Sequence, residues 1–235
     1  MDKVFKTQFP VTDNIVKSLA DSEVVGRNKR YQGLYDGFAK YYTPIQKIMV
    51  FFYTLFKKGY VNPLLQYIAD LGIKPGDRVL EVSVGTGDNL NDLPKDIDFY
   101  GLDISLGMLK QCLKRHSKTR KITLVHGMAE NLPFQDETFD VVFHIGGINF
   151  FNDRAQAIKE MIRVAKPGTR FLIADETEKV AKEWENTPIA KRFFQNRDEV
   201  IVPPVDLVSK EMLDIKLSYL TKNDELYIIT FTKPS

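Results

Sequence analysis

From position 74 onward, short runs rich in β-branched and aromatic residues alternate with amphipathic helical runs. That alternation is the signature of a mostly parallel sheet covered by helices, and it excludes all-α and all-β architectures. Arg78-Val-Leu-Glu-Val82 reads as a first buried strand, followed by a small-residue loop after which Asp88 or Asn89 is placed to cap a helix. Phe99-Tyr-Gly-Leu-Asp103 is a second strand, and Ser105 is the N-cap of a helix reaching about Ser117. Residues 122–126, 140–145 and 170–174 are three more strands. Between the last two, Asp153 caps a helix whose Ile158, Met161, Ile162 and Ala165 recur at i, i+3, i+4, i+7. Near the end, Leu213, Ile215, Leu217 and Tyr219 alternate with polar residues, and the turn at 222–224 leads to a further extended run, which predicts an antiparallel hairpin.

The chemistry concentrates where the first strand gives way to its loop, Glu81-Val-Ser83-Val-Gly85-Thr-Gly87. Small residues there let backbone approach a ligand, and the expected helix N-terminus would present free N–H groups to it. Asp103 ends the next strand, sixteen positions after Gly87, where a carboxylate can accept both hydroxyls of a ribose. Together these imply a nucleoside-bearing ligand at the carboxyl ends of the strands. A nicotinamide dinucleotide is the obvious alternative, but its G-x-G-x-x-G run fails in every register: from Gly85 the third glycine falls on Leu90.

The chain resembles the class I S-adenosylmethionine (SAM)-dependent methyltransferases of the type 11 group. Val79-Leu-Glu-Val-Ser-Val-Gly-Thr-Gly87 is similar to their first motif, and Tyr100-Gly-Leu-Asp-Ile-Ser105 with Gly107-Met-Leu109 to their second. Gly127-Met-Ala-Glu-Asn-Leu-Pro-Phe134 with Phe139-Asp-Val-Val-Phe143 is similar to the adenine-side motif, and Glu160-Met-Ile-Arg-Val-Ala-Lys-Pro-Gly168 to the segment before the fifth strand. Within the superfamily the nearest likeness is to ubiquinone/menaquinone C-methyltransferases and, more weakly, phospholipid N-methyltransferases. The resemblance implies an α/β, Rossmann-like doubly wound, mostly parallel seven-stranded sheet with an antiparallel C-terminal hairpin, and SAM as cofactor with S-adenosylhomocysteine (SAH) as product. It implies that Glu81 helps hold the amino end of the methionine moiety and that Gly85 and Gly87 line it with backbone. Asp103 would bind the ribose hydroxyls, Ile104 pack on the adenine, Ala129 offer its N–H to the adenine ring, and His144 lie near the methionine portion. Two positions depart from the family: Ser83 stands where glycine is usual, and Met128 where an aspartate often reads the adenine amino group, with Glu130 nearby as a substitute.

Because the cofactor carries the reactive methyl, such motifs record the cofactor and not the acceptor, and no catalytic residue follows from them. Tyr35 and His144 are the candidates that remain. Tyr31, Tyr35, Tyr41 and Tyr42 fit either a lid over the sulfonium or core-facing aromatics of an amphipathic helix. Asp175 and Glu176 fit either the acceptor site or a helix start. The run of Lys110, Lys114, Arg115, Lys118, Arg120 and Lys121 reads as an exposed helix face around His116. The formal charge of +2 argues against nucleic acid, while three histidines and the single Cys112 argue against a clustered metal site. The apolar segment 45–60 is too short to span a bilayer; it fits a helix on the core, a wall for an apolar acceptor or a peripheral membrane contact. No apolar leader is evident, so a cytoplasmic setting is expected. The organisation expected is one domain, with residues 1–73 a helical cap on a 74–235 core and 176–208 a substrate-cap insertion. The function expected is methyl transfer to a small-molecule or lipid-like acceptor. The alternatives are a membrane-associated phospholipid or quinone methyltransferase, a non-catalytic SAM-binding partner and a nicotinamide-dependent oxidoreductase.

Overall fold

The computed structural model of the chain describes residues 4–56, 64–187, 200–220 and 223–235, with the side chains of 46–56 outside that description. Much of the apolar segment 45–60 and residues 188–199 of the expected substrate cap therefore lie outside the described residues.

Among the described residues nine strands form one sheet: β1 (Val11–Thr12), β2 (Ile15–Lys17), β3 (Arg78–Val82), β4 (Asp98–Asp103), β5 (Ile122–His126), β6 (Val141–Ile145), β7 (Arg170–Glu176), β8 (Leu213–Leu220) and β9 (Leu226–Thr232). Their order is β1-β2-β5-β4-β3-β6-β7-β9-β8. From β2 to β7 every pairing is parallel, and both margins are antiparallel. The expected seven strands are thus corrected to nine. The extra pair, β1 and β2, comes from N-terminal residues read as helical. Strands of two and three residues are too short to show an alternating pattern, and β2 exists through a long-range pairing that sets Ile15 against Leu124.

The helices are α1 (Gly26–Phe56), α2 (Leu65–Asp70), α3 (Leu106–His116), α4 (Arg154–Val164) and α5 (Glu178–Glu185). Ser105 and Asp153 cap α3 and α4, accepting from the N–H groups of Met108 and Gln156. Strand alternation sorts the core into two layers. Leu80, Val82, Leu102, Val125 and Val142 face Ile158 and Met161 of α4, whereas Val79, Phe99, Leu124 and Phe143 face Leu109 and Cys112 of α3. Chain order runs outward from β3 to β4 and β5, then returns to β6 and β7 on its other side. The point where strand order reverses, between β3 and β6, is where an open α/β sheet leaves a crevice at its carboxyl ends.

No α-helix follows the glycine loop. Residues Asn89–Asn91 make a single 3-10 turn instead. The Asn91 side chain bonds back to the Asp88 carbonyl at 2.8 Å, a local bond that competes with helix, and Pro94 stops the segment soon after. The dipole end expected beside the ligand is therefore replaced by a tight loop.

Gly87 shows what that loop requires. Its φ is +75°, and a Cβ there would lie 2.7 Å from the Cys112 sulfur and 3.1 Å from Leu90 Cδ1. Gly85, at φ +54°, has nothing within 4 Å of the same position. Gly87→Ala is expected to cost about 2–4 kcal/mol from left-handed backbone plus overpacking, against about 1–2 kcal/mol for Gly85→Ala from backbone alone. Thermal melting of the two variants checks this, and equal losses would refute it.

Candidate functional site

A cavity of about 400 Å³ opens at the carboxyl ends of the strands. Its lining includes Glu81, Ser83 and Gly85 from the glycine loop, Asp103 and Ile104 from the end of β4, and Tyr35 from α1. Of the residues singled out in the sequence, these six are brought together, and Tyr31, Tyr42, Asp88, Asn89, Asp175 and Glu176 join them in the lining. Gly87, Met128, Ala129 and His144 stand outside the lining.

Two acidic side chains anchor the site. Asp103, 8% exposed, accepts from the Gly85 N–H on one oxygen and from the Ser105 N–H on the other, both at 2.8 Å. Burial raises its pKa to about 6 against those bonds. Glu81, 1% exposed, accepts from the Asn89 side chain at 2.6 Å through one oxygen, while its second oxygen is buried without a partner. Burial pushes this carboxyl up to about 8. An orphaned buried carboxylate oxygen in a cavity wall is a place for a cation or hydrogen-bond donor from a ligand.

The far wall continues the pattern. Asp175, at the end of β7, accepts from the N–H groups of Gly147 and Asn149 at 3.0 Å each and from that of Glu176 at 2.8 Å. Burial raises Asp175 to about 6 and, with Asp175 beside it, Glu176 to about 8. Asp88 and Asp92 complete six carboxylates in the lining, which holds no lysine, arginine or histidine among the described residues. Asp88 is paired with Arg115 at 2.6 Å. Tyr35 and Tyr42 form an aromatic wall; burial lifts the Tyr35 hydroxyl well above its ordinary value and Tyr42 to about 12, so both stay protonated donors near neutral pH.

Ser83 holds φ +62°, the left-handed region that explains why related loops use glycine there. His144 is 0% exposed: its Nδ1 bonds the Val82 carbonyl at 2.9 Å and its Nε2 accepts from the Ile148 N–H at 3.0 Å. Burial lowers its pKa to about 4, so it is a neutral brace for the loop after β6, with no ring nitrogen turned toward the cavity. Two further readings change. His116 is buried rather than solvated, and Arg115, read as exposed charge, reaches the glycine loop through Asp88 and the Thr86 hydroxyl at 2.8 Å.

Helix α1 supplies residues the sequence reading missed. At one-turn intervals, Gln32 donates to the Ile104 carbonyl at 3.1 Å, and Asp36 accepts from the Ser105 hydroxyl at 2.6 Å and the Gly107 N–H at 2.7 Å. The i, i+4 spacing of these polar residues is visible in the sequence, but nothing local says what they touch.

Residues 80–173 match a family model described as a methyltransferase domain. Over 148 residues the chain is 41% identical to a demethylmenaquinone methyltransferase of Corynebacterium kroppenstedtii, covering 63% of this chain and 58% of that protein. Over 109 residues it is 38% identical to a phthiotriol/phenolphthiotriol dimycocerosates methyltransferase of Mycobacterium tuberculosis, covering 45% of this chain and 39% of that one. The chain spans about half the length of the curated relatives it matches. Among solved structures, a Thermotoga maritima protein described as a SAM-dependent methyltransferase, possible histamine N-methyltransferase, superposes with a TM-score of 0.59 at 22% identity. That match covers 83% of this chain and 98% of the other, and it is a likeness of fold.

The raised carboxyls set a pH dependence. Glu81 and Glu176 have pKa values near 8 in the folded chain against 4.5 when unfolded, so the folded state binds more protons in between. Stability falls with rising pH wherever that holds. Below pH 6.5, His116, His126 and His144, all lowered by burial, pull the opposite way. The melting temperature of the ligand-free protein is therefore expected to fall between about pH 6.5 and 8.5, and Glu81→Gln to flatten part of that fall. A parent curve that is flat or rising across this window would contradict the assignment.

Proposed function

We propose that this chain, whose residues 80–173 match a methyltransferase-domain model, transfers a methyl group from SAM to a small-molecule or lipid-like acceptor. The observation that carries this reading is the pair of buried carboxylates, Glu81 and Asp103, set on either side of Gly85 in a cavity without basic side chains among the described residues. The donor set fits a ligand with a free ammonium, a ribose diol and net positive charge. The orphaned Glu81 oxygen would take the ammonium, Asp103 the ribose hydroxyls, and Ile104 the face of the adenine.

Bound SAM supplies a methyl group on a positively charged sulfur, ready for in-line displacement. The chain's part is to orient, to exclude water and to manage a proton. Tyr35 and Tyr42 place aromatic surface beside the cavity, where a cation is favoured. The Glu176 carboxylate, held near pKa 8, is the group on the acceptor side suited to receive a proton from an acceptor that must lose one. The curated relatives named above act, by their names, on a quinone precursor and on lipid-like phthiotriols, which supports an apolar acceptor here. No helix among the described residues is long and apolar enough to cross a membrane, so a lipid acceptor would be met at a surface.

Calorimetric titration with SAH, beside methyl-transfer assays on short-chain demethylated naphthoquinols and on vesicle-borne lipids, tests the reading. Asp103→Ala is expected to weaken SAH by about 10²-fold, the loss of two hydrogen bonds to a charged acceptor, and to melt below the parent but still cooperatively, since the Gly85 and Ser105 N–H groups lose their acceptor. A parent that binds no SAH, or a folded variant that binds it like the parent, would overturn the assignment. Binding without turnover across the acceptor panel would favour a non-catalytic role.

A further inference from the structure

The nucleoside end of the cavity lacks a carboxylate on the β5 side. Met128 stands at that position, and its side chain does not line the cavity. Glu130, two residues on, is already committed: one of its oxygens accepts from Asn28 Nδ2 at 2.9 Å and from the Asn152 N–H at 3.0 Å. The polar side chain that does reach the lining there is Asn28, from the first turn of α1. It is 5% exposed, and its Nδ2 lies 3.9 Å from the Met128 sulfur, so it occupies the space beside the residue that departs from the family pattern.

The amide's orientation follows from its neighbours. A carboxylate only accepts, so the Glu130 contact identifies Nδ2 as the donor, and the Asn152 N–H, shared with Glu130, identifies Oδ1 as the acceptor. Oδ1 takes one long bond, 3.3 Å, from the Asn152 N–H, and a carbonyl oxygen has a second lone pair to offer. Adenine presents at its edge an amino group that needs such an acceptor. Building on the methyl-donor reading, we infer that Asn28 reads the 6-amino group of the cofactor's adenine through Oδ1, replacing from helix α1 the carboxylate that Met128 does not provide. Gln32 and Asp36 hold the same helix onto the β4–α3 loop one and two turns further along, which fixes Asn28 relative to Ile104. The N-terminal helix is then part of the cofactor site and selects adenine over other bases.

The test uses two ligands on the full chain, SAH and its analogue lacking the 6-amino group, measured by calorimetry. The parent is expected to bind SAH about tenfold more tightly than the analogue. Asn28→Ala should bring SAH down to the analogue's affinity and leave the analogue unchanged. A purely structural role would weaken both ligands by the same factor, and that result overturns the inference. So does a parent that binds SAH and does not distinguish the two. Asn28→Asp combined with Glu130→Gln keeps an accepting oxygen at position 28 and restores a donor to it from position 130, and should retain the preference for adenine, which serves where the alanine variant does not fold; loss of the preference in that folded double variant counts against the inference. If the parent binds neither ligand, the methyl-donor reading itself has failed, an outcome distinct from failure of Asn28 alone.

Discussion

One carboxylate holds the working end of this molecule together. The Asp103 side chain ties the loop leaving β3 to the loop leaving β4 by accepting from Gly85 and Ser105, beside a backbone bond from the Val84 N–H to the Leu102 carbonyl at 3.0 Å. The crevice opens between β3 and β6, where strand order reverses, and the loops leaving β3 and β4 border it with backbone N–H groups that need acceptors. Asp103 satisfies two of those groups from inside. The same geometry presents its carboxylate to whatever occupies the crevice, so the residue that closes the ligand-free loops is also the one offered to a ligand. Burial raises its pKa, and the two backbone bonds offset part of that rise.

Around this centre, acidic side chains outnumber basic ones among the described residues. Six carboxylates line one cavity, and among the described residues Asp88 alone of them has a basic partner, Arg115. Like charges gathered under low exposure destabilise a chain, and they persist where a positive ligand offsets them. Helix α1 adds the roof. Its Asp36 reinforces the Ser105 cap of α3, and close packing of α1 on α3 is possible because Gly107 has no side chain: a Cβ there would lie 3.0 Å from the Ala39 Cβ.

The α/β core was legible in the sequence because its rules are local. The caps at Ser105 and Asp153, the alternation of β8 and β9, and the acidic ends of β3 and β4 all follow from neighbours a few residues apart. What escaped was set by distance along the chain. Strand β2 depends on residues 109 or more positions away, and the Gln32 and Asp36 contacts span about 70 positions. The helix expected after Gly87 failed because Asn89, Asn91 and Pro94 favour a turn, a local cue outweighed in reading by the glycine pattern. His144 sits on the anticipated strand end, yet its ring is turned under the sheet by two backbone bonds, and no pattern of residue types records that orientation.

The two margins of the sheet are finished differently, and this bears on how the protein keeps to itself. At one end β1 is only two residues long, too short to template a neighbouring strand. At the other, β8 runs eight residues with Leu213, Ile215 and Tyr219 exposed, which is a hazard for edge-to-edge aggregation. An irregularity between Leu213 and Lys216 interrupts that edge, Asp214 is turned to φ +54°, and the lysine adds charge in the same stretch. A kinked, charged margin is a poor template for flat strand pairing, so the break in β8 lowers the hazard its exposed side chains create.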